Sequence, residues 1–493
     1  MTSSEARSSV IPLLATALVL AALLLALPFL AASAAADEGD EYGSWSSFYR
    51  GWTFSATESF DYRYHSELFN AGEENQFRNF LDTFLTKGKF TIGLSLDVAN
   101  FFPREPYREF NNFIEVDRFF IDYGGEHLYG TAGDFYTSFG RGLTLSVLKD
   151  DLIYRDDTIR GLRSSLRFEH LEVDLLGGYV ENRVTDEEDW VSGFRGAVVF
   201  PRDIRLGVTA VWADDKSEDW VEGEHKLGSA FLSADGIGDQ LDLYAEYALK
   251  ESELDPTGER GHGFYGAATW YRGQFNVLGE YKDYERFKYE YNNPPTADRL
   301  DEFVTPDDTR GFRIKPAYSL AETSTDLYVS YARFESILSG SVMEHYLAGV
   351  EQQEAFDRLY FHVVAGRKAE KQGKDENRAE LAATLDVLEE DSIIVDGLIK
   401  YARDPFYCNT EVESSIGYSF SGRWILTALY QYSQVPVWDE TDFWGGELTV
   451  NLTESLTAKV FAGALKGGQV CSGGQCRYED PFEGAKLTVV YRF

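Results

Sequence analysis

The sequence predicts an all-β protein, namely a transmembrane antiparallel up-and-down β-barrel of roughly 24 strands, with a range of about 20–26. Three observations favour this fold class. The composition suits strands and turns, with 15 % aromatic residues, 44 Gly and only 2 Met. Apolar residues recur with a period of two, and short connections alternate with long ones along the chain.

The period of two identifies the strands. In the segment 89–98, apolar Phe90, Ile92 and Leu94 alternate with small or polar residues, and the segment 378–387 follows the same pattern. Such alternation gives an extended strand one apolar and one polar face. The segments are about 9–13 residues long, which is the length of a tilted strand that crosses a bilayer.

The connections predict how these strands are joined. Short turns such as 87–89 and 201–202 alternate with longer charged or Asn/Pro-rich links. The long links are 63–74, 100–111, 136–158, 214–223, 286–309 and 466–480. Hairpins that span an outer membrane have tight turns on the periplasmic side and larger loops outside. A soluble sandwich or propeller is the alternative all-β fold.

Residues 1–36 are predicted to be a secretory signal peptide. An apolar run starts at Val10 after Arg7, and small residues offer cleavage sites near 34–36. The run is longer than usual, so an uncleaved anchor is the alternative. Residues 37–493 then form the barrel. Few residues separate the cleavage site from the first predicted strand, so we expect no N-terminal plug domain.

The formal net charge of −36 limits the classes of partner that the protein is expected to bind. Nucleic acid is not expected, because phosphate binding needs a basic surface. Strong acidity attracts cations instead. The acidic segments 185–189, 214–224 and 298–308 lack the spacing of a calcium loop and read as solvated surface rather than as metal sites.

The last residues, GAKLTVVYRF, alternate between an apolar and a mostly polar face. Ala485, Leu487, Val489, Tyr491 and Phe493 are apolar, and polar residues lie between most of them. This ending resembles the C-terminal insertion signature of Gram-negative outer-membrane β-barrels. The resemblance implies a porin-like barrel in the outer membrane, surrounded by lipid and inserted by the barrel-assembly machinery.

A second resemblance covers residues 133–163. Glycine, arginine and aromatic residues in this segment are similar to those of an uncharacterised family of outer-membrane barrels. The matching positions are Gly133, Phe135, Tyr136, Phe139, Gly140, Gly142, Leu143, Asp157, Ile159, Arg160 and Gly161. The resemblance implies no activity.

The loop 136–158 is the candidate for folding into the pore. Mixed charges beside a pore orient polar solutes and set ion preference. The candidate constriction residues are Arg141, Asp150, Asp151, Arg155, Asp156, Asp157, Arg160, Arg163 and Arg167. In the alternative interpretation these charges pair with one another and fix the loop against the wall or outside it.

The three cysteines predict one disulfide. Cys471 and Cys476 flank a short glycine-rich loop, and an exported chain can hold such a bond, which leaves Cys408 over. A metal site is not predicted, because no His accompanies the pair at ligand spacing. The chain has no Cys-x-x-Cys-His motif for haem attachment.

The sequence predicts a channel rather than an enzyme. It contains neither a Gly-x-Ser-x-Gly elbow nor a His-Glu-x-x-His pair, so no catalytic residue and no cofactor is assigned. The expected function is diffusion of small hydrophilic solutes or ions, with a preference for cations. The alternative is a sleeve around a periplasmic or extracellular partner, such as a multihaem cytochrome that carries electrons across the membrane.

Overall fold

The computed structural model describes residues 51–65, 74–102, 112–150, 155–182, 187–215, 223–253, 260–296, 308–355, 358–370, 373, 375–388, 390–403, 408–437, 440–472, 475–479 and 481–493. The predicted signal peptide lies outside the described residues. Within the described part of the chain, no helix has the length and apolar character needed to cross a membrane.

The described residues form thirty strands. They are β1 (Thr53–His65), β2 (Glu74–Lys87), β3 (Phe90–Phe102), β4 (Asn112–Gly124), β5 (Leu128–Phe135), β6 (Thr137–Phe139), β7 (Leu145–Val147), β8 (Lys149–Asp150), β9 (Arg155–Asp156), β10 (Ile159–Phe168), β11 (Leu171–Asn182), β12 (Glu187–Phe200), β13 (Ile204–Asp215), β14 (Gly223–Ile237), β15 (Leu241–Ser252), β16 (Gly261–Arg272), β17 (Phe275–Glu285), β18 (Thr309–Leu320), β19 (Thr325–Ser336), β20 (Val342–Ala355), β21 (Leu359–Glu370), β22 (Asp375–Asp386), β23 (Ser392–Arg403), β24 (Cys408–Phe420), β25 (Trp424–Val437), β26 (Glu440–Asn451), β27 (Leu456–Leu465), β28 (Gly468–Ser472), β29 (Gln475–Glu479) and β30 (Phe482–Arg492).

Twenty-four of these strands belong to one antiparallel sheet, and β1 pairs with β30. The fold is therefore the predicted closed up-and-down β-barrel, in which no strand edge is left open to lipid. The short strands β6–β9, β28 and β29 pair outside this sheet as small hairpins. The period-two pattern did not predict them, because they are only two to five residues long.

Large apolar side chains cover one face of the barrel strands. Leu162, Ile399, Leu426 and Trp444 are 66 %, 55 %, 64 % and 66 % exposed, respectively. Their neighbours along each strand point to the opposite face, which carries most of the paired charges. Exposed apolar residues at every second position are stable where the surrounding solvent is the acyl chain of a lipid.

The first of two compact units comprises residues 51–124, 451–460 and 484–493 of the described chain. In it, Tyr491 and Val489 of β30 lie opposite Glu58 and Phe60 of β1. The amide of Phe493 donates to the carbonyl of Ala56 at 2.9 Å, and the Ala56 amide donates back to the Phe493 carbonyl at 2.7 Å. The apolar residues of the C-terminal signature thus share one face of a fully paired strand.

The second unit comprises residues 125–450 and 461–483. Its largest apolar cluster lies on the inner face, opposite the exposed apolar residues, and includes Val191, Val211 and Leu227 of neighbouring strands. Loop residues complete this cluster. The second unit therefore carries the candidate site.

The hairpin of β28 and β29 bears on the predicted disulfide. Cys471 and Cys476 are direct cross-strand partners in the backbone register. Their pairing stays a prediction. Cys408 is an exposed free thiol.

Candidate pore lining and infolded loop

Residues 136–150, which we call the infolded loop, fold back onto the inner face of the second unit. Strand β6 pairs with β7, with Thr137 opposite Val147 and Phe139 opposite Leu145. Phe139 is 2 % exposed, and Leu145 and Val147 are fully buried. The apolar residues that alternate along the loop thus give it a buried side, which anchors it by the hydrophobic effect.

The wall beneath the infolded loop is shaped to receive it. The ring of Phe139 lies over Gly193 of β12, where even a Cβ would stand 2.7 Å from the ring. Thr144 shares a hydrogen bond of 2.9 Å with Thr209, which bonds Ser229 at 2.7 Å. Ser229 donates to Glu246 at 2.7 Å. This chain of hydroxyl groups ties the loop to three adjacent strands.

A second loop, residues 286–296, holds the infolded loop from the other side. The amide of Ser146 donates to the Tyr291 carbonyl at 2.7 Å, and the Asn293 amide donates to the Gly142 carbonyl at 3.0 Å. The Tyr289 hydroxyl donates to the Thr144 carbonyl at 2.6 Å. Burial raises the pKa of this hydroxyl above its ordinary value, so the donor keeps its proton.

Two glycines of the infolded loop cannot be replaced without moving a neighbour. Gly142 has φ +84°, and a Cβ there would lie 2.6 Å from the backbone oxygen of Asn293. Gly140 has φ +59°, and its Cβ would collide with the carboxylate of Glu246. Both the left-handed backbone and the close approach require glycine.

Arg141 is the one predicted constriction residue at the tip of the infolded loop. Its guanidinium lies 4.6 Å from the ring centre of Tyr244 and 5.6 Å from that of Tyr265. It also donates to the Tyr265 hydroxyl at 3.4 Å. Arg141 is thus held against the inner wall by two aromatic faces.

The structure separates the other predicted constriction residues. Asp150 pairs with Arg155 and Lys149 with Asp156 in the short β8–β9 hairpin, which defines their backbone positions. Asp151 lies outside the described residues. The Asp157 amide donates to the Leu148 carbonyl at 3.3 Å.

Arg160 lies on the opposite face of the wall from Arg163 and Arg167. It shares its face with Leu162, two positions along β10, and its side chain is 60 % exposed. It forms an ion pair of 2.8 Å with Asp134. The strand period therefore directs Arg160 away from the lumen, whereas Arg163 and Arg167 point inwards.

Arg163 and Arg167 border a cavity of about 390 Å³, which we call the basic recess. The infolded loop covers it with Thr137, Ser138, Phe139 and Gly140. The charged side chains of its lining are Arg163, Arg167, Arg195, Arg205, Glu172 and Asp174. Sequence reasoning missed Arg195 and Arg205, although each stands at an inward position of a strand that follows the predicted loop.

The two carboxylates of the basic recess are shared among its arginines. Asp174 accepts from Arg167 at 2.8 Å and from Arg195 at 2.9 Å. Glu172 accepts from Arg195 at 3.1 Å and lies 3.6 Å from Arg205. Each acidic group thus bridges arginines on neighbouring strands.

The inner face of β20–β26, which we call the acidic arc, has the opposite character. The cross-strand registers place these acidic residues on it: Glu351, Glu370, Glu376, Glu380, Asp386, Asp396, Glu411, Glu413 and Glu447. The basic residues on the same face are Lys368, Arg378 and Lys400. Acidic side chains outnumber basic ones there.

A cavity of about 400 Å³ lies on the acidic arc and is lined by His362, Glu380, Asp396 and Glu413 among others. The side chain of Glu413 is 38 % exposed although Lys466 lies 2.8 Å from it. Burial alone would lower the pKa of the Lys466 ammonium, but Glu413 and Glu411 outweigh burial and raise the pKa. The arc thus keeps carboxylates in contact with water.

Among its described residues, the first unit holds one group of acidic residues close enough to bind a metal. Carboxylate oxygens of Asp97, Glu115 and Asp117 lie within 4.8 Å of one another. Arg78 donates to Asp97 at 3.1 Å, so one member already has a cationic partner. We interpret this group as a structural ion-pair cluster of the wall.

Comparison with protein-family models gives one match. Residues 17–304 match a family of unknown function (DUF6029), which is more than half of the chain. The chain belongs to the DUF6029 family. A comparison with curated protein sequences found no match.

Several solved structures are similar to this DUF6029 chain. A chain of the E. coli P pilus tip assembly intermediate PapC-PapD-PapK-PapG has a TM-score of 0.56 at 10 % identity. The match covers 92 % of this chain and 62 % of that chain. The protein therefore spans less than two thirds of the length of that structure, and the likeness shows the fold alone.

Two further similar structures have lower scores. The P pilus usher (PapC) translocation pore has a TM-score of 0.46 at 10 % identity, with 89 % of this chain and 99 % of that chain covered. The outer membrane protein opdK from Pseudomonas aeruginosa has a TM-score of 0.43 at 12 % identity, with 72 % and 98 % covered.

Proposed function

We propose that the protein is an outer-membrane channel for small hydrophilic solutes and ions, with a preference for cations and no covalent chemistry. The observation that carries the proposal is the acidic arc on the inner face of the barrel, where carboxylates such as Asp396 and Glu413 stay in contact with solvent. A charged, hydrated inner face is what a water-filled lumen requires, since a dry lumen would have to neutralise those groups.

The distribution of charge supports the cation preference. Carboxylates along the acidic arc attract cations and repel anions over roughly 10 Å at 0.1 M salt, but over only about 3 Å at 1 M. The acidic segments 185–189, 214–224 and 298–308 add negative charge in the connections between strands. We therefore expect a cation preference that weakens as the salt concentration rises.

The infolded loop supports a restricted rather than an open pore. It occupies inner surface along β10–β17 and is fixed there by the second loop and by the hydroxyl chain. Arg141 contributes a fixed positive charge opposite in sign to that of the acidic arc. Charges of opposite sign on one lumen wall orient polar solutes as they pass.

Conductance of the purified, refolded barrel in a planar bilayer tests the proposal. We expect discrete conductance steps and a reversal potential in a KCl gradient that indicates cation preference at 0.1 M and a smaller preference at 1 M. Anion preference would contradict the selectivity. A barrel that does not conduct alone, and that copurifies from native membranes with a haem protein, would favour the sleeve instead.

A further inference from the structure

The basic recess brings four arginines together within a strongly acidic protein. Four arginines from β10, β12 and β13 face two carboxylates from β11. Asp174 and Glu172 have their oxygens engaged by Arg167, Arg195 and Arg205, as described above. Arg205 also lies 3.2 Å from Asp235 and 3.9 Å from Asp203. These contacts compensate part of the positive charge and hold the guanidinium groups in fixed orientations.

Arg163 is the arginine that the carboxylates do not reach. Its only hydrogen bond to a described residue goes to the backbone carbonyl of Tyr136, at 3.2 Å. Among the residues that the structure describes, no carboxylate lies within ion-pairing distance of it. A guanidinium has five N–H donors, so most donors of Arg163 remain available to a ligand.

The volume of the basic recess limits the ligand to a small molecule. Its volume of about 390 Å³ falls at the low end of the ~300–1,000 Å³ typical of ligand sites. Thr137 and Ser138 border it beside the arginines. Fork-shaped guanidinium groups match the geometry of a carboxylate, to which they donate two parallel hydrogen bonds.

We propose that the basic recess binds a small organic carboxylate, with Arg163 as its principal cationic partner. Arg195 borders the site beside it, and the infolded loop closes one side of the site. A role for this site in the passage of anionic solutes rests on the proposed channel function, whereas binding itself does not.

Titration calorimetry of the full barrel in detergent at low salt tests the binding. Succinate is the probe, and neutral succinamide of the same length is the control ligand. We expect succinate to bind the wild type with a dissociation constant on the order of millimolar and succinamide not to bind. Arg163→Gln should weaken succinate binding about ten-fold.

Two variants keep the result interpretable. Arg163→Lys retains the charge but not the fork, so we expect intermediate binding. Lys315→Gln removes another inner-face cation, one that lies 4.3 Å from the ring centre of Tyr328 and outside the basic recess, and binding should be unchanged. Equal succinate affinity in the wild type and Arg163→Gln would overturn the proposal, as would absence of binding to the wild type.

The conductance of the same preparations separates the two proposals. Succinate binding without conductance would leave the carboxylate site standing and remove the channel. Conductance without succinate binding would support the channel and rule out the carboxylate site.

Discussion

The basic recess and the acidic arc lie on the same inner face, yet they handle charge in different ways. In the basic recess each carboxylate bridges arginines of neighbouring strands, and the infolded loop covers these ion pairs. On the acidic arc the carboxylates outnumber their basic neighbours, and Glu413 and Asp396 remain in contact with solvent. The same alternation of inward and outward residues thus forms both a region covered by a loop and a region in contact with water.

The wall beneath each region explains the difference. Beneath the infolded loop, inward positions are apolar or small, such as Val191 and Gly193, or carry charges that pair with one another, such as Asp174. On β22–β24 the corresponding inward positions hold Glu380 and Asp396, which could not be covered by an apolar loop without a large desolvation penalty. The position of the loop is therefore set by side chains of the wall.

The largest expected effect comes from separating the two loops. Gly142→Ala places a Cβ 2.6 Å from the Asn293 backbone oxygen at φ +84°. The left-handed conformation alone costs roughly 1–2 kcal/mol for a residue with a side chain, and the collision adds to it. We expect the infolded loop to leave the wall and single-channel conductance to rise about twofold.

A second glycine with a positive φ serves as the control for the conformational cost of adding a side chain. Gly236 has φ +68° and no atom within 4 Å of the position that a Cβ would take, so Gly236→Ala carries the conformational cost without the collision. Its conductance should equal that of the wild type. If Gly142→Ala also conducts like the wild type, the infolded loop does not narrow the pore.

A smaller effect is expected from discharging the acidic arc. The double variant Asp396→Asn with Glu413→Gln should lower the cation-to-anion permeability ratio about twofold, because both groups contribute to the potential along the lumen. Reversal potentials in a KCl gradient measure it. Glu169→Gln, whose side chain is 89 % exposed in a turn, serves as the control, and an equal ratio in both variants would speak against the arc.

The smallest effect on binding and selectivity is expected at Arg160. Arg160→Gln removes an ion pair on the outward side of β10, in which the Arg160 side chain is 60 % exposed and that of Asp134 only 2 % exposed. Stability should fall by about 1–3 kcal/mol, because a buried carboxylate loses a charged partner, while the inner face stays unchanged. Succinate binding and ion selectivity should stay at wild-type values, unlike those of Arg163→Gln. A clear loss of succinate binding would show that the face assigned to Arg160 is wrong.

The sequence predicted the barrel well because the patterns that indicate barrel strands are local in the sequence. Alternation in segments such as 89–98 and the apolar series ending at Phe493 depend only on neighbouring residues. The loop 136–158 was recognised as a candidate for infolding from its length and charge. A strict period of two also separates Arg160 from Arg163, which differ by an odd number of positions.

The partner of the infolded loop could not be predicted in the same way. The side-chain amide of Asn292 donates a hydrogen bond to the carbonyl of Leu143, 149 positions away in the sequence. Neither segment contains a pattern that predicts contact with the other. One signal was present: Phe287, Tyr289 and Tyr291 continue the alternation of β17 beyond the strand end. All three are buried against the infolded loop or the wall.

The bonds between the two loops have a consequence for the order of assembly. The contacts of Ser146 and Gly142 with Tyr291 and Asn293 can form only after the segment beyond β17 has reached the nascent barrel. Until then only the wall holds the infolded loop, which carries four apolar side chains. The pore interior can therefore be completed only after at least eight further strands, β10–β17, have reached the barrel.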